Sequence, residues 1–123
     1  MNWTIAILII VVFVALFALK RMAFVSVEVT RKHLAGGALV IDVRSAEEFR
    51  SGHVANAVNI PLAELRESLP LHVTDKRQVL LLHCLSGGRS GMAQHQLKGM
   101  GYTNAFNLGS YGRAQQIVEG DLD

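Results

Sequence analysis

The chain of 123 residues has one cysteine, Cys84. A lone cysteine excludes an internal disulfide, which suits a reducing compartment, and leaves no resolving thiol for dithiol chemistry. Aromatic residues make up 7% of the chain, and they do not interleave with the basic ones. The 12 Lys and Arg nearly balance the 10 Asp and Glu. With no basic stripe and no stacking platform, nucleic acid is not an expected partner. His33, His53, His72, His83 and His95 are dispersed and lack ligand spacing, so no metal is expected. The residues call for no cofactor, and the chain has no internal repeat or low-complexity tract.

Charge is absent from Trp3 to Leu19, WTIAILIIVVFVALFAL, where Thr4 is the only polar residue. A helix of those 17 residues would be about 26 Å long, at the short end of what crosses a hydrocarbon core. An amphipathic core helix would carry polar residues on its second face, and this run does not. The expectation is a single-pass transmembrane helix that contacts lipid through residues 3–19. Lys20 and Arg21 can snorkel, and Met22 to Val25 can extend the apolar face. A cleaved signal peptide would place positive charge before the apolar run and small residues after it. Here Lys20 and Arg21 follow the run instead, with Arg31 and Lys32 close behind. By the positive-inside rule the C-terminal domain faces the cytoplasm from the inner (cell) membrane. The expected division is a membrane anchor over 1–22 and one compact domain over 23–123.

After the anchor, Phe24 to Val29 alternates like a short strand, and Thr30 to Ala35 gives a helical turn ended by Gly36-Gly37. ALVIDV (38–43) reads as a buried parallel strand. Ser45 and Glu48 form a capping box that opens a helix ended by Gly52. A brief strand over Ala57 to Ile60 precedes a helix, Leu62 to Leu69, that stops at Pro70. The apolar run Val79 to Leu82 is the central strand. A helix is expected from Met92 to Met100, then a strand over YTNAFNL (102–108) and a terminal helix, Arg113 to Glu119. Strand and helix alternate, which argues for a parallel sheet covered by helices on both faces.

The sharpest chemical signal lies where the central strand ends. Cys84 is followed by the glycine-rich turn Leu85-Ser86-Gly87-Gly88-Arg89-Ser90-Gly91 and then by a helix. Unpaired N–H groups and the positive end of the helix dipole stabilise a thiolate, the nucleophilic form of the thiol. The glycines let the backbone turn its N–H groups inward at an anion, and Arg89 adds a forked cationic donor. The competing account makes Cys84 a small buried hydrophobe in a tight turn. His83 is a poor base for Cys84, because adjacent strand residues point to opposite faces. It is expected to be structural, and His72 and His95 to face solvent. Asp42, at the end of a buried strand, needs a charged or N–H partner near the active loop.

IDVRSAEEFRSGHVANAVNIP resembles the first signature of rhodanese domains, CLSGGRS resembles their active-site loop, and GYTNAFNLG is similar to their last strand. The resemblance covers nearly everything after the anchor and implies a rhodanese-like, doubly wound α/β domain. It makes Cys84 the nucleophile that carries sulfur as a persulfide. The backbone of Leu85, Ser86, Gly87, Gly88, Arg89 and Ser90 would cradle it, Arg89 would steady the anionic donor, and Asp42 and Arg44 would support the site. The implied donor is thiosulfate or another sulfane-sulfur compound, and the acceptor is a thiol, cyanide or an acceptor protein. Two departures stand out. Ser110-Tyr111-Gly112 replaces the usual tryptophan after the last glycine turn, which bears on C-terminal packing. Leu85 stands where many relatives carry a polar residue, which bears on donor selectivity. Phosphatases and arsenate reductases on the same scaffold have five residues between cysteine and arginine. This chain has four, a smaller loop suited to one sulfur atom, and no aspartate soon after it to act as general acid.

Overall fold

The computed structural model describes residues 2–22 and 24–120. The side chains of Lys20, Arg21 and Met22 lie outside the described residues, as do Met1, Ala23 at the expected domain boundary, and 121–123.

Helix α1 runs Trp3–Met22. From Trp3 to Leu19 its side chains are exposed, Ala6 alone being half-buried. Among the described residues no helix is long and apolar enough to cross a membrane. The uncharged run of α1, Trp3 to Leu19, falls short of a hydrocarbon core of about 30 Å, so the expected span is not established by the fold.

The strand expected over Phe24 to Val29 is not formed. Val27–Ala35 is instead helix α2, capped by the Ser26 Oγ, which accepts from Val29 N at 3.2 Å. Thr30 Oγ1 donates to Ser26 O at 2.7 Å. A serine cap with Glu28 in the first turn outweighs the alternation of β-branched residues. Gly36 ends the helix.

Four parallel strands follow: β1 (Leu39–Asp42), β2 (Val58–Asn59), β3 (Leu80–His83) and β4 (Ala105–Gly109), in the order β2-β1-β3-β4. Helix α3 (Ala46–Ser51) carries the expected capping box between Ser45 and Glu48. A 3-10 turn, Leu62–Glu64, leads into α4 (Leu65–His72). This helix does not stop at Pro70. Proline suits helical φ, and the bond it cannot make leaves only the carbonyl of exposed Arg66 without that partner. Helix α5 (Gly88–Gly99) follows β3, and α6 (Tyr111–Glu119) follows β4.

Alternation along the strands divides the core between the two sheet faces. Ile41, Leu80, Leu82 and Ala105 pack with Leu65 and Leu69 of α4 and Ala93 and Leu97 of α5. Val40, Leu81 and Leu108 pack on the other face with Ala114 and Ile117 of α6 and, partly buried, Leu34 of α2. The expectation of helices on both faces of a parallel sheet holds. Strand order reverses between β1 and β3, so the crevice beyond their carboxyl ends is the natural ligand position. Asp42 and Cys84 both lie there.

Candidate active site

Cys84 leaves β3 on the face covered by α5. Its backbone N–H donates to Gly109 O at 3.2 Å, which ties it to the end of β4. The helix expected from Met92 starts four residues earlier, at Gly88, so Gly88, Arg89 and Ser90 are its first turn. The free N–H groups of that turn therefore open directly beneath the thiol. Gly87 is the N-cap with φ 99°, a left-handed conformation that favours glycine. That turn aims its own N–H at Cys84 Sγ, 3.0 Å away.

Cys84 is 1% exposed. Burial, the largest single influence, pushes the thiol pKa up. It is outweighed by the Ser90 hydroxyl and by the N–H groups of Ser90, Gly87 and Ser86, which together hold it below the ordinary value. Ser86, Gly87 and Ser90 are three of the six residues, Leu85 to Ser90, expected to form the cradle. Leu85 is 59% exposed at the rim, and its carbonyl accepts from Tyr111 N at 3.2 Å. Ser86 bridges to Ser110, which fastens the loop to the turn before α6. Gly88 is exposed.

Ser90 Oγ stands 3.5 Å from Cys84 Sγ and 2.7 Å from Asn107 Oδ1. Asn107 was not singled out from sequence, although a polar residue in a buried strand is a signal in itself. Its Oδ1 also accepts from Gly109 N at 3.0 Å, and its Nδ2 donates to Gly87 O at 3.1 Å. One buried amide thus clasps the loop, the helix start and β4. A register shift in β3–β4 after Leu82 and Asn107 sets up this arrangement.

Arg89 is engaged by a carboxylate from outside the loop. Its guanidinium grips Glu48 with two prongs, Nη1 to Oε1 at 2.7 Å and Nη2 to Oε2 at 3.0 Å. Glu48 is the missed residue. Its place in the capping box was legible, and its reach across 41 residues to the loop was not. The Arg89 bond, with the Ser45 N–H behind it, holds the Glu48 carboxyl down to about 2.

Asp42 and Arg44 pair as expected. Arg44 Nε donates to Oδ2 at 2.9 Å and Nη2 to the same oxygen at 2.7 Å, and the Arg44 N–H reaches Oδ1 at 2.9 Å. Nη2 also donates to Gly52 O at 2.7 Å, so the pair holds the end of α3. The Arg44 guanidinium lies 4.4 Å from the centre of the Tyr111 ring, an aromatic support at the place where the tryptophan is missing. His83 sits opposite Asp42 in the β1–β3 register, on the other face from Cys84. It is fully buried, and its Nε2 has no hydrogen-bond partner. Among the described residues no three His, Cys, Asp or Glu are grouped to hold a metal ion.

A buried thiol with a lowered pKa, ringed by N–H donors at a helix start, can attack a soft electrophile and then keep the added atom in an anion-stabilising cradle. The chain is similar to known proteins over this region. The family model described as rhodanese-like domain matches residues 26–112. Thiosulfate sulfurtransferase PspE of Escherichia coli K12 is 42% identical over 69 residues, covering 56% of this chain and 66% of that protein. The uncharacterized protein YqhL of Bacillus subtilis is 41% identical over 71 residues, 58% of this chain and 55% of that one. The chain therefore spans between about half and two thirds of these curated relatives. Among solved structures, a rhodanese with anions from E. coli superposes with TM-score 0.61 at 38% identity, over 63% of this chain and 91% of that one. The human single-domain sulfurtransferase TSTD1 gives 0.64 at 31% identity, over 74% and 93%.

Proposed function

The chain belongs to the rhodanese-like domain family, and we propose that it is a thiosulfate sulfurtransferase with Cys84 as its nucleophile. The observation that carries this reading is the Gly87 N–H on Cys84 Sγ at 3.0 Å, at the head of α5 and beside Ser90. The Cys84 thiolate attacks the outer sulfur of thiosulfate. A bond forms between the two sulfurs, the original S–S bond breaks, and sulfite leaves with its electron pair. The outer sulfur of the resulting persulfide faces the N–H groups of Ser86, Gly87 and Ser90. An acceptor thiolate or cyanide then attacks that sulfur, and the Cys84 thiolate departs regenerated. Two half-reactions on one nucleophile give ping-pong kinetics.

Arg89 contributes from within its pair with Glu48, as a loop brace and a nearby positive charge. Asp42 and Arg44 brace the loop's surroundings. A phosphatase reading is weaker, since Glu48 occupies both prongs of the only arginine in the loop and the loop is short by one residue.

A second reading is persulfide delivery to a partner protein, and Leu85 favours it. An apolar side chain 59% exposed next to the nucleophile suits a protein acceptor better than an anion alone. The reading extends to α1 as a single-pass anchor in the inner (cell) membrane, with the domain on the cytoplasmic side. An apolar helix surface exposed along its length needs a cover. Local bilayer thinning or snorkelling can meet a run this short.

Intact mass after thiosulfate tests the central claim. The native chain gains one sulfur atom and Cys84→Ser gains none. An unchanged native mass rejects the assignment. Rapid discharge to one protein, with slow turnover of cyanide, distinguishes delivery from general catalysis.

A further inference from the structure

Phe24 and Val25 precede the residues that match the family, and Arg113 follows them, yet the three converge on the sulfur-carrying loop. The Phe24 ring lies against two glycines whose backbones are both left-handed, Gly87 at φ 99° and Gly109 at φ 104°. A methyl group on Gly87 Cα would stand 2.6 Å from Phe24 Cζ, and one on Gly109 would stand 3.0 Å from Phe24 Cδ2. The ring therefore fills the space that two absent side chains leave open.

Phe24 is itself held in place. Val25 N donates to Asn107 O at 2.9 Å. The Arg113 guanidinium donates to Val25 O and Leu108 O and lies 5.6 Å from the Phe24 ring centre. Asn107 in turn grips Gly87 O and the Ser90 hydroxyl.

We propose that Phe24 is a positioning residue for sulfur transfer: its ring, held by Val25 and Arg113, fixes the Gly87 peptide so that its N–H meets Cys84 Sγ. Glycine has the widest backbone freedom of any residue, so a glycine N–H that must point one way needs an outside constraint. Asn107 holds the carbonyl side of Gly87, and Phe24 holds the Cα. The inference rests on Cys84 being the nucleophile. It adds that Phe24 and Val25, ahead of the residues that match the family, are working parts of the site.

The test is the pH dependence of Cys84 alkylation by iodoacetamide in the full-length chain, for native protein, Phe24→Leu and Phe24→Ala. The charged and titratable groups around the thiol stay in place in all three: Arg89, paired to Glu48, on the same side; Asp42, Arg44 and the neutral His83 on the other sheet face; Arg113 beyond the ring. The expected result is a rise in the apparent thiol pKa, small for Phe24→Leu and about one unit for Phe24→Ala. At neutral pH that corresponds to roughly a tenfold slower alkylation. Sulfur uptake from thiosulfate slows in parallel. Phe24→Leu keeps an apolar side chain, so it supplies the readout if Phe24→Ala does not fold. Lowered melting temperatures with an unchanged alkylation profile would overturn the proposal and leave Phe24 a packing residue. Because alkylation needs no thiosulfate, that outcome is distinct from a native chain that gains no sulfur, which would reject the Cys84 reading instead.

Discussion

Glu48 binds both terminal nitrogens of Arg89, at 2.7 and 3.0 Å, so the loop's one arginine meets the thiol with its charge already countered. Glu48→Gln keeps the capping box through its amide oxygen but loses the charge and one prong of the grip, because an amide nitrogen cannot accept from Arg89 Nη2. With Arg89 no longer offset, the Cys84 thiol becomes more acidic, and alkylation near neutral pH speeds up about threefold, equivalent to roughly half a pKa unit. A slower reaction would mean that Arg89 leaves its place when the carboxylate is gone. The same pair predicts an acid limb. The Glu48 carboxyl falls from an ordinary 4.5 to about 2. Its stabilising contribution is therefore complete above about 4.5 and is lost as pH falls through 2, whereas Glu48→Gln lacks that limb in urea denaturation.

Ser90→Ala tests the hydroxyl beside the sulfur. Among the influences that lower the thiol pKa, the Ser90 side chain comes first. Its removal raises the apparent pKa and reduces the thiolate present at neutral pH. Sulfur uptake at pH 7 falls by about threefold to tenfold, equivalent to half to one pKa unit, and recovers as pH rises past the new value. A loss that persists at high pH would assign Ser90 a different role.

The site divides into what local sequence encodes and what only tertiary contact creates. Cys84 at a strand end, the glycine turn, the Ser45–Glu48 box and the Asp42-X-Arg44 spacing each act within a few residues, so each was legible. The bidentate grip of Glu48 on Arg89, the Asn107 clasp and the seat of Phe24 on two glycines join segments 17 to 85 residues apart. Nothing in residue type alone announces such pairings. Two differences from expectation are local competitions. Val25, Val27 and Val29 suggested a strand where Ser26 caps a helix, and Pro70 suggested a stop where it fits the last turn.

Asp42 and Arg44 are both buried, at 0% and 5% exposure, so removing either partner strands the other. Asp42→Ala leaves a buried guanidinium with Gly52 O and the Tyr111 ring but no counter-charge in contact, and Arg44→Ala leaves a buried carboxylate. Each costs about 3–5 kcal/mol, readable as a shifted urea midpoint. The double variant loses less than the sum of the two, because the second substitution removes the charge that the first one orphaned. Additive losses would show that the two residues act separately.

His83 links the fold to pH from the sheet face opposite the thiol. Burial is the main cause of its lowered pKa. The Asp42 charge and the Cys84 carbonyl pull the other way, and the Arg44 charge adds to the lowering. Its Nε2 lies 3.9 Å from Asp42 Oδ2, too far for a hydrogen bond, and Arg44 already holds that carboxylate. The ring is therefore folded in its neutral form. Below the ordinary imidazole value of about 6.5 the unfolded chain takes up a proton that the folded one refuses, so stability falls as pH drops from there towards the folded value. His83→Leu removes the titrating group and the orphaned nitrogen together, and a hydrophobe of similar size there costs less than a comparable core truncation. Its melting temperature should stay nearly level between pH 7 and pH 5, where the native chain's declines. An equal decline in both would place the acid sensitivity on another group and leave His83 a neutral filler of the β1–β3 seam.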